Sequence, residues 1–196
     1  MIHATVAECF RPAARTPARA YDAAVVLGGA ALIALSAHLR MWIGPVPVTG
    51  QTFVVLLVGA LLGSRRGVLA VAGYLLAGLC GLGVFAGGAG GVAYLRGATA
   101  GYLLGFLGGA WVIGRLAELG WDRRLASMVA AMALGEAVVF LPGVVWLATF
   151  VGWSAALWKG LVVFLPVEVL KIALAAVLLP TGWRLLGRVG RPSGRR

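Results

Sequence analysis

The sequence predicts an all-α integral membrane protein, with six transmembrane helices in one bundle and both termini cytoplasmic. Three observations predict it. Of the 196 residues, 61% are hydrophobic and only 12% charged, with a mean hydropathy of +0.97, whereas a soluble domain carries about a quarter charged residues. The apolar residues gather in long runs, as they must to cross a hydrocarbon core that takes about 20 helical residues. The seventeen Lys and Arg residues collect at the ends of those runs rather than along a groove, which is the placement that holds loops on the cytoplasmic side. The same placement argues against nucleic acid as the partner of the +11 net charge, because no aromatic-rich basic surface accompanies it. Anionic lipid head groups are the expected partners instead.

Each element follows in order. Residues 1–20 contain Glu8, Arg11, Arg15 and Arg19 but no apolar core, so they read as a cytoplasmic N-terminal tail and not as a cleaved signal peptide. Residues 21–183 form the membrane domain. Its spans are expected at Tyr21 to Met41, Thr52 to Leu62, Val68 to Leu82, Thr99 to Leu116, Leu125 to Val151 and Pro166 to Trp183. Residues 184–196 are a basic cytoplasmic C-terminal tail. In this arrangement thirteen of the seventeen basic residues lie inside and only Arg40, Arg96 and Lys159 outside, Lys171 belonging to the last span. A five-span chain would place one arginine-rich terminus on the wrong face. Trp42, Trp111, Trp146, Trp153, Trp158 and Trp183 fall near span ends, where amphipathic rings anchor at the interface. The outer segment Gly81 to Gly97, GLGVFAGGAGGVAYLRG, holds seven glycines and either lines a pocket or simply connects two spans.

Charges inside the spans are few and costly, about 2.5 to 3.5 kcal/mol each on insertion scales, so they face a bundle interior or a cavity. Pro166 suits the first position of a helix. That start puts Glu168 in the first turn, with Lys171 three residues on along the same face. The two either neutralise each other as a packing pair or present an acceptor and a donor to a polar ligand. Glu136 is the other acid deep within a span, and spacing leaves it as a bond to a neighbouring helix or a ligand group. Thr49, Gln51 and Thr52 follow two prolines and either cap the second helix or face the pocket. His38 has no second His or acid at metal-site spacing, so no metal is expected. Cys9 and Cys80 sit in contexts too different for a structural disulfide. No HExxH, GxSxG, Walker A loop or Cys-His pair is present, so no catalytic residue is assigned and no enzyme is expected.

The segments IGPVPVTGQTFVVLLVGALLGSRRG, YLLAGLCGLGVFAGGAGG, GATAGYLLGF and FLPVEVLK, spread in order from about Ala30 to Leu179, resemble the BioY family, the biotin-binding membrane subunits of energy-coupling factor (ECF) transporters. The resemblance implies a multi-pass S component of the cell membrane that captures biotin from outside. It implies that Glu168 and Lys171 help hold the ligand, although the family's acid is usually aspartate. Val84, Phe85, Arg96, Tyr102 and Gln51 complete the expected binding set. Gly83 and Ala98 depart from the family, where proline is usual. The resemblance also implies a transmembrane coupling protein and ATPase subunits as partners, with ATP used by those subunits and no cofactor bound by this chain. Ala30 and Ala34, a small-xxx-small pair, are the expected docking positions. The alternatives are an S component for another vitamin, or a structural membrane protein in which the charge pair only stabilises the bundle.

Overall fold

A computed structural model of the chain describes residues 3–41 and 44–189. Trp42, expected as an interfacial anchor, and Arg191, Arg195 and Arg196 of the basic C-terminal segment lie outside the described residues. The helices in chain order are α1 (Val6–Cys9), α2 (Arg15–Ser36), α3 (Gln51–Leu62), α4 (Ser64–Leu79), α5 (Val92–Leu95), α6 (Ala100–Glu118), α7 (Leu125–Val151), α8 (Trp153–Leu157) and α9 (Leu165–Val189). A 3-10 turn, Trp121–Arg123, joins α6 to α7, and a π turn, Trp158–Val162, leads from α8 towards α9. Two short strands, β1 (Arg40–Met41) and β2 (Val48–Thr49), pair antiparallel between α2 and α3.

Among the described residues, four helical stretches are long and apolar enough to cross a membrane: Arg15–Ser36, Ala100–Glu118, Leu125–Val151 and the run Trp153–Leu186. The six expected full spans are therefore not all present at full length. α3 has 12 residues and α4 has 16, or roughly 18 and 24 Å at 1.5 Å per residue. Gly63 separates them, and at φ 85° it takes a backbone conformation open to glycine but strained for other residues. The chain thus reverses within one residue instead of running through a loop.

Several boundaries differ from the sequence expectation, and α4 runs Ser64–Leu79 rather than Val68 to Leu82. α2 begins at Arg15 rather than Tyr21 and ends at Ser36 rather than Met41. At its start, Pro17 sits in the first turn and fixes a helical φ, so the helix runs on through the polar residues. At its end the chain turns at Leu39, whose carbonyl accepts from Gly50 N at 2.9 Å, and Arg40–Met41 leave as β1. The segment read as an N-terminal tail holds α1 and packs on the bundle: Thr5, Ala7 and Ala18 are buried, and the Tyr21 hydroxyl donates to the Ala7 carbonyl at 2.9 Å. α9 starts at Leu165, one residue before Pro166, and continues past Trp183 to Val189. By contrast α7 occupies the expected interval and α3 begins one residue early.

Packing centres on α6. A Cβ added at Gly105 would stand 2.6 Å from the Val139 carbonyl oxygen of α7, and Gly101 and Gly109, one turn to either side, meet α7 as closely. Small residues at this spacing let two backbones approach, which is how helices associate where lipid removes the hydrophobic drive. On its other faces α6 buries Leu103, Phe106 and Ala110 against Val55 and Val58 of α3 and Val71, Tyr74 and Leu75 of α4. α9 closes the bundle through Ala175, Ala176 and Leu179, packed with Leu56, Met128 and Met132.

Candidate functional site

α3, α6 and α9 all begin at one end of the bundle, and a small cavity of about 40 Å³ opens there. Their first turns supply its polar side: Gln51 and Thr52 from α3, the flanking Thr99 from α6, and Glu168 from α9. Each helix start leaves backbone N–H groups without intrahelical partners and a partial positive charge. At α9 the helix continues from the π turn, and Val167 and Glu168 N–H donate to the Phe164 carbonyl, so the dipole ends that face the cavity are those of α3 and α6, which favour an anionic group there.

Glu168 is buried, and both of its oxygens are engaged. Lys171 Nζ donates to Oε1 at 2.8 Å, and Thr52 Oγ1 donates to Oε2 at 3.0 Å. Lys171 also donates to the Thr49 carbonyl oxygen and to Thr52 Oγ1, both at 2.7 Å. An ammonium has three N–H groups, so Lys171 is fully used within the protein. A carboxylate has roughly four acceptor positions, so Glu168 keeps capacity for further donors. Glu168 lines the cavity, and Lys171 stands behind it.

The opposite wall is aromatic. Tyr102 and Phe140 meet edge to face at 5.7 Å, Phe140 and Phe164 at 5.5 Å, and Tyr102 stacks on Phe164 at 6.3 Å. The Tyr102 hydroxyl donates to the Gly160 carbonyl at 2.7 Å, fixing the ring to the π turn. That ring rests on Gly143 of α7, where a Cβ would collide with it. Gln51 is buried and its amide donates to the Tyr74 hydroxyl. The site thus offers a carboxylate, hydroxyls and an amide on one side and a flat apolar surface on the other, a fit for a small molecule with a donor-bearing head and an apolar ring.

Of the residues expected from sequence, Glu168, Gln51 and Tyr102 line this cavity. Phe85 is buried behind it, stacked on Tyr94 at 5.0 Å and edge to face with Tyr74 at 5.5 Å. Tyr94 is the ring of that loop that reaches the cavity. Val84 points elsewhere, into a crevice between α2 and α4 that Ala30 and Ala34 also line. Arg96 is exposed and does not line the cavity. Val46, Pro47, Ala86, Thr99, Leu103, Phe106, Phe140 and Phe164 were not singled out from sequence and do line it.

Comparison with known proteins bears on this geometry. A model of the BioY family matches residues 11–188. The chain belongs to the BioY family. It is 35% identical over 160 residues to the probable biotin transporter BioY of Pyrococcus horikoshii, covering 82% of this chain and 94% of that one. It is 40% identical over 149 residues to the biotin transporter BioY of Thermotoga maritima, covering 76% and 87%. In fold it resembles the crystal structure of the S-component for biotin from an ECF-type ABC transporter, with a TM-score of 0.75 at 24% identity over 88% of this chain and 95% of that one. The BioY match starts within the segment that holds α1 and α2 and runs almost to the end of α9.

Proposed function

We propose that this BioY-family chain is a biotin-uptake subunit, which binds biotin in an outward-facing cavity and leaves energisation to an ECF coupling protein and ATP-consuming ATPase subunits. It is a binding protein, not an enzyme. In this reading α2, α3, α4, α6, α7 and the α8–α9 run make six crossings of the cell membrane, with both termini cytoplasmic. α3 and α4 act as short crossings completed by the segments at their ends.

The observation that carries the proposal is the Glu168 carboxylate, buried, held from behind by Lys171 and Thr52, and open to the cavity. The ureido head of biotin has two N–H donors, and Glu168 accepts them without giving up a bond it already has. The bicycle packs on Phe140, Phe164 and Tyr102, and the side-chain carboxylate of biotin profits from the helix starts. Gln51 holds the Tyr74 edge of the site, while Val84, Phe85 and Arg96 act through the loop that carries Tyr94. A site built to hydrogen-bond such a head rejects guests without it, because its own buried groups would be left unpaired.

The test is binding of labelled biotin to the purified chain with desthiobiotin and riboflavin as competitors. Saturable binding displaced by biotin and desthiobiotin is expected. Displacement by riboflavin but not by excess biotin would assign the cavity to another vitamin, and no saturable binding would leave a structural role.

The coupling protein docks along α2 in this proposal. Ala30 and Ala34 border an open crevice of about 190 Å³ between α2 and α4, which gives a partner's side chain a place to seat. Leu at both positions is expected to reduce co-purification with the coupling protein while biotin binding in detergent is kept. Loss of both would mean that the bundle itself was damaged.

A further inference from the structure

A second acid lies on the far side of Glu168. Glu136, in the middle of α7, is 6% exposed, and neither of its carboxyl oxygens has a hydrogen-bond partner among the described residues. It does not line the ligand cavity. It lines instead a separate apolar cavity between α7 and α9, with Ala133, Phe140, Leu165 and Ile172, and Glu168 is in the wall of both cavities. Glu168 is therefore approached from one side by the ligand space and from the other by Glu136.

The charged groups facing Glu136 are Glu168 and Lys171, both from α9. From α3 the nearby polar group is the Thr52 hydroxyl, already given to Glu168. The charged residues of α6, Arg115 and Glu118, pair with each other at its far end. Among the described residues, no second cation is present on these faces to offset a second anion. With Glu136 neutral the three groups sum to zero, whereas with Glu136 ionised two carboxylates share one ammonium in an apolar setting. A neutral carboxyl carries an O–H donor, and the neighbouring acceptor is Glu168.

We propose that Glu136 is a positioning residue that carries a proton and donates it as a hydrogen bond to Glu168, holding that carboxylate ionised and turned towards the ligand cavity. The inference rests on Glu168 being the biotin acceptor, but the proton itself is readable without biotin. Two measurements separate them.

Infrared spectra of the purified chain without biotin at neutral pH should show the carbonyl stretch of a protonated carboxyl, and that band should be missing in Glu136→Gln. No such band in the wild type, or its persistence in Glu136→Gln, overturns the proposal whether or not biotin binds. For affinity, Glu136→Ala should weaken biotin binding about tenfold or more, since Glu168 loses a donor while remaining buried. Glu136→Gln supplies an amide N–H and should recover most of that loss. Equal affinity in the wild type and both variants would overturn the role. If Glu136→Ala does not fold, the infrared comparison of wild type with Glu136→Gln decides alone.

Discussion

The two ends of α9 each hold a buried acid, and the surroundings of those acids differ. At the Leu165 end, Glu168 has every oxygen engaged and still faces open space. At the other end, Trp183 of α9 donates to Asp122 of the α6–α7 turn, and the Arg123 guanidinium covers the indole at 4.4 Å from the ring centroid. There the second Asp122 oxygen is buried with no partner among the described residues. The difference teaches that a buried charge marks a ligand site only where it combines held geometry with spare accepting capacity beside a cavity. The Asp122 end lacks that combination and acts as a latch between helices.

The largest expected effect breaks the ligand end. Lys171→Ala removes the cation from a buried pair, a change that costs 2–5 kcal/mol or more in comparable interfaces. Biotin affinity should fall about a hundredfold or more, measured by equilibrium binding, while the protein stays monodisperse by size exclusion. Unchanged affinity would reduce the pair to packing and erase the contrast between the two ends.

A smaller effect, confined to stability, is expected at the latch. Trp183→Phe keeps the ring but removes the N–H that serves Asp122, at a cost of about 1–3 kcal/mol. Thermal unfolding in detergent should move down while biotin affinity holds within about twofold. A matching loss of affinity would show that the two ends are coupled.

The smallest effect sharpens the comparison through pH. Burial raises the Asp122 pKa, partly offset by the Trp183 bond and by Arg123. The folded state then holds the proton more tightly than the unfolded chain, so the stabilising contribution is complete below the unfolded value near 3.9 and is lost as pH rises through the folded value. Asp122→Asn should remove this dependence, so that wild-type stability falls relative to the variant as pH is raised from acid towards neutral. Parallel profiles would place Asp122 in a wetter setting than its burial indicates.

Some of this was legible in the sequence. α7 stands where Arg124 and Gly152 bracket an apolar run, and α3 where two prolines and a glycine precede one. Glu168 and Lys171 were legible because charge in lipid is costly enough to demand a reason. The aromatic wall was not: Phe106 and Phe140 sit in helices apolar on nearly every side, so periodicity gives them no face, and Phe164 lies in the turn before α9, which has no period. α2 was misplaced because an apolar run reports the hydrocarbon layer, while a helix can continue through Arg15 and Arg19 into the head groups. The orientation of the 81–97 loop was illegible for another reason. Gly81, Gly87, Gly88 and Gly91 all have positive φ, and such turns decide which of Val84, Phe85 and Tyr94 faces inward without leaving a pattern in residue type.

The saturation of Lys171 has a consequence for selectivity. Its three N–H groups already hold Thr49, Thr52 and Glu168, so a guest that offers only acceptors must break one of those bonds to gain another, and the exchange is close to neutral. A guest that brings N–H groups adds bonds at Glu168 and breaks none. At the Glu168 end the cavity is therefore expected to screen a guest's head group by hydrogen-bond polarity before shape is tested, admitting donors there at net gain and leaving acceptors to compete with the protein for Lys171.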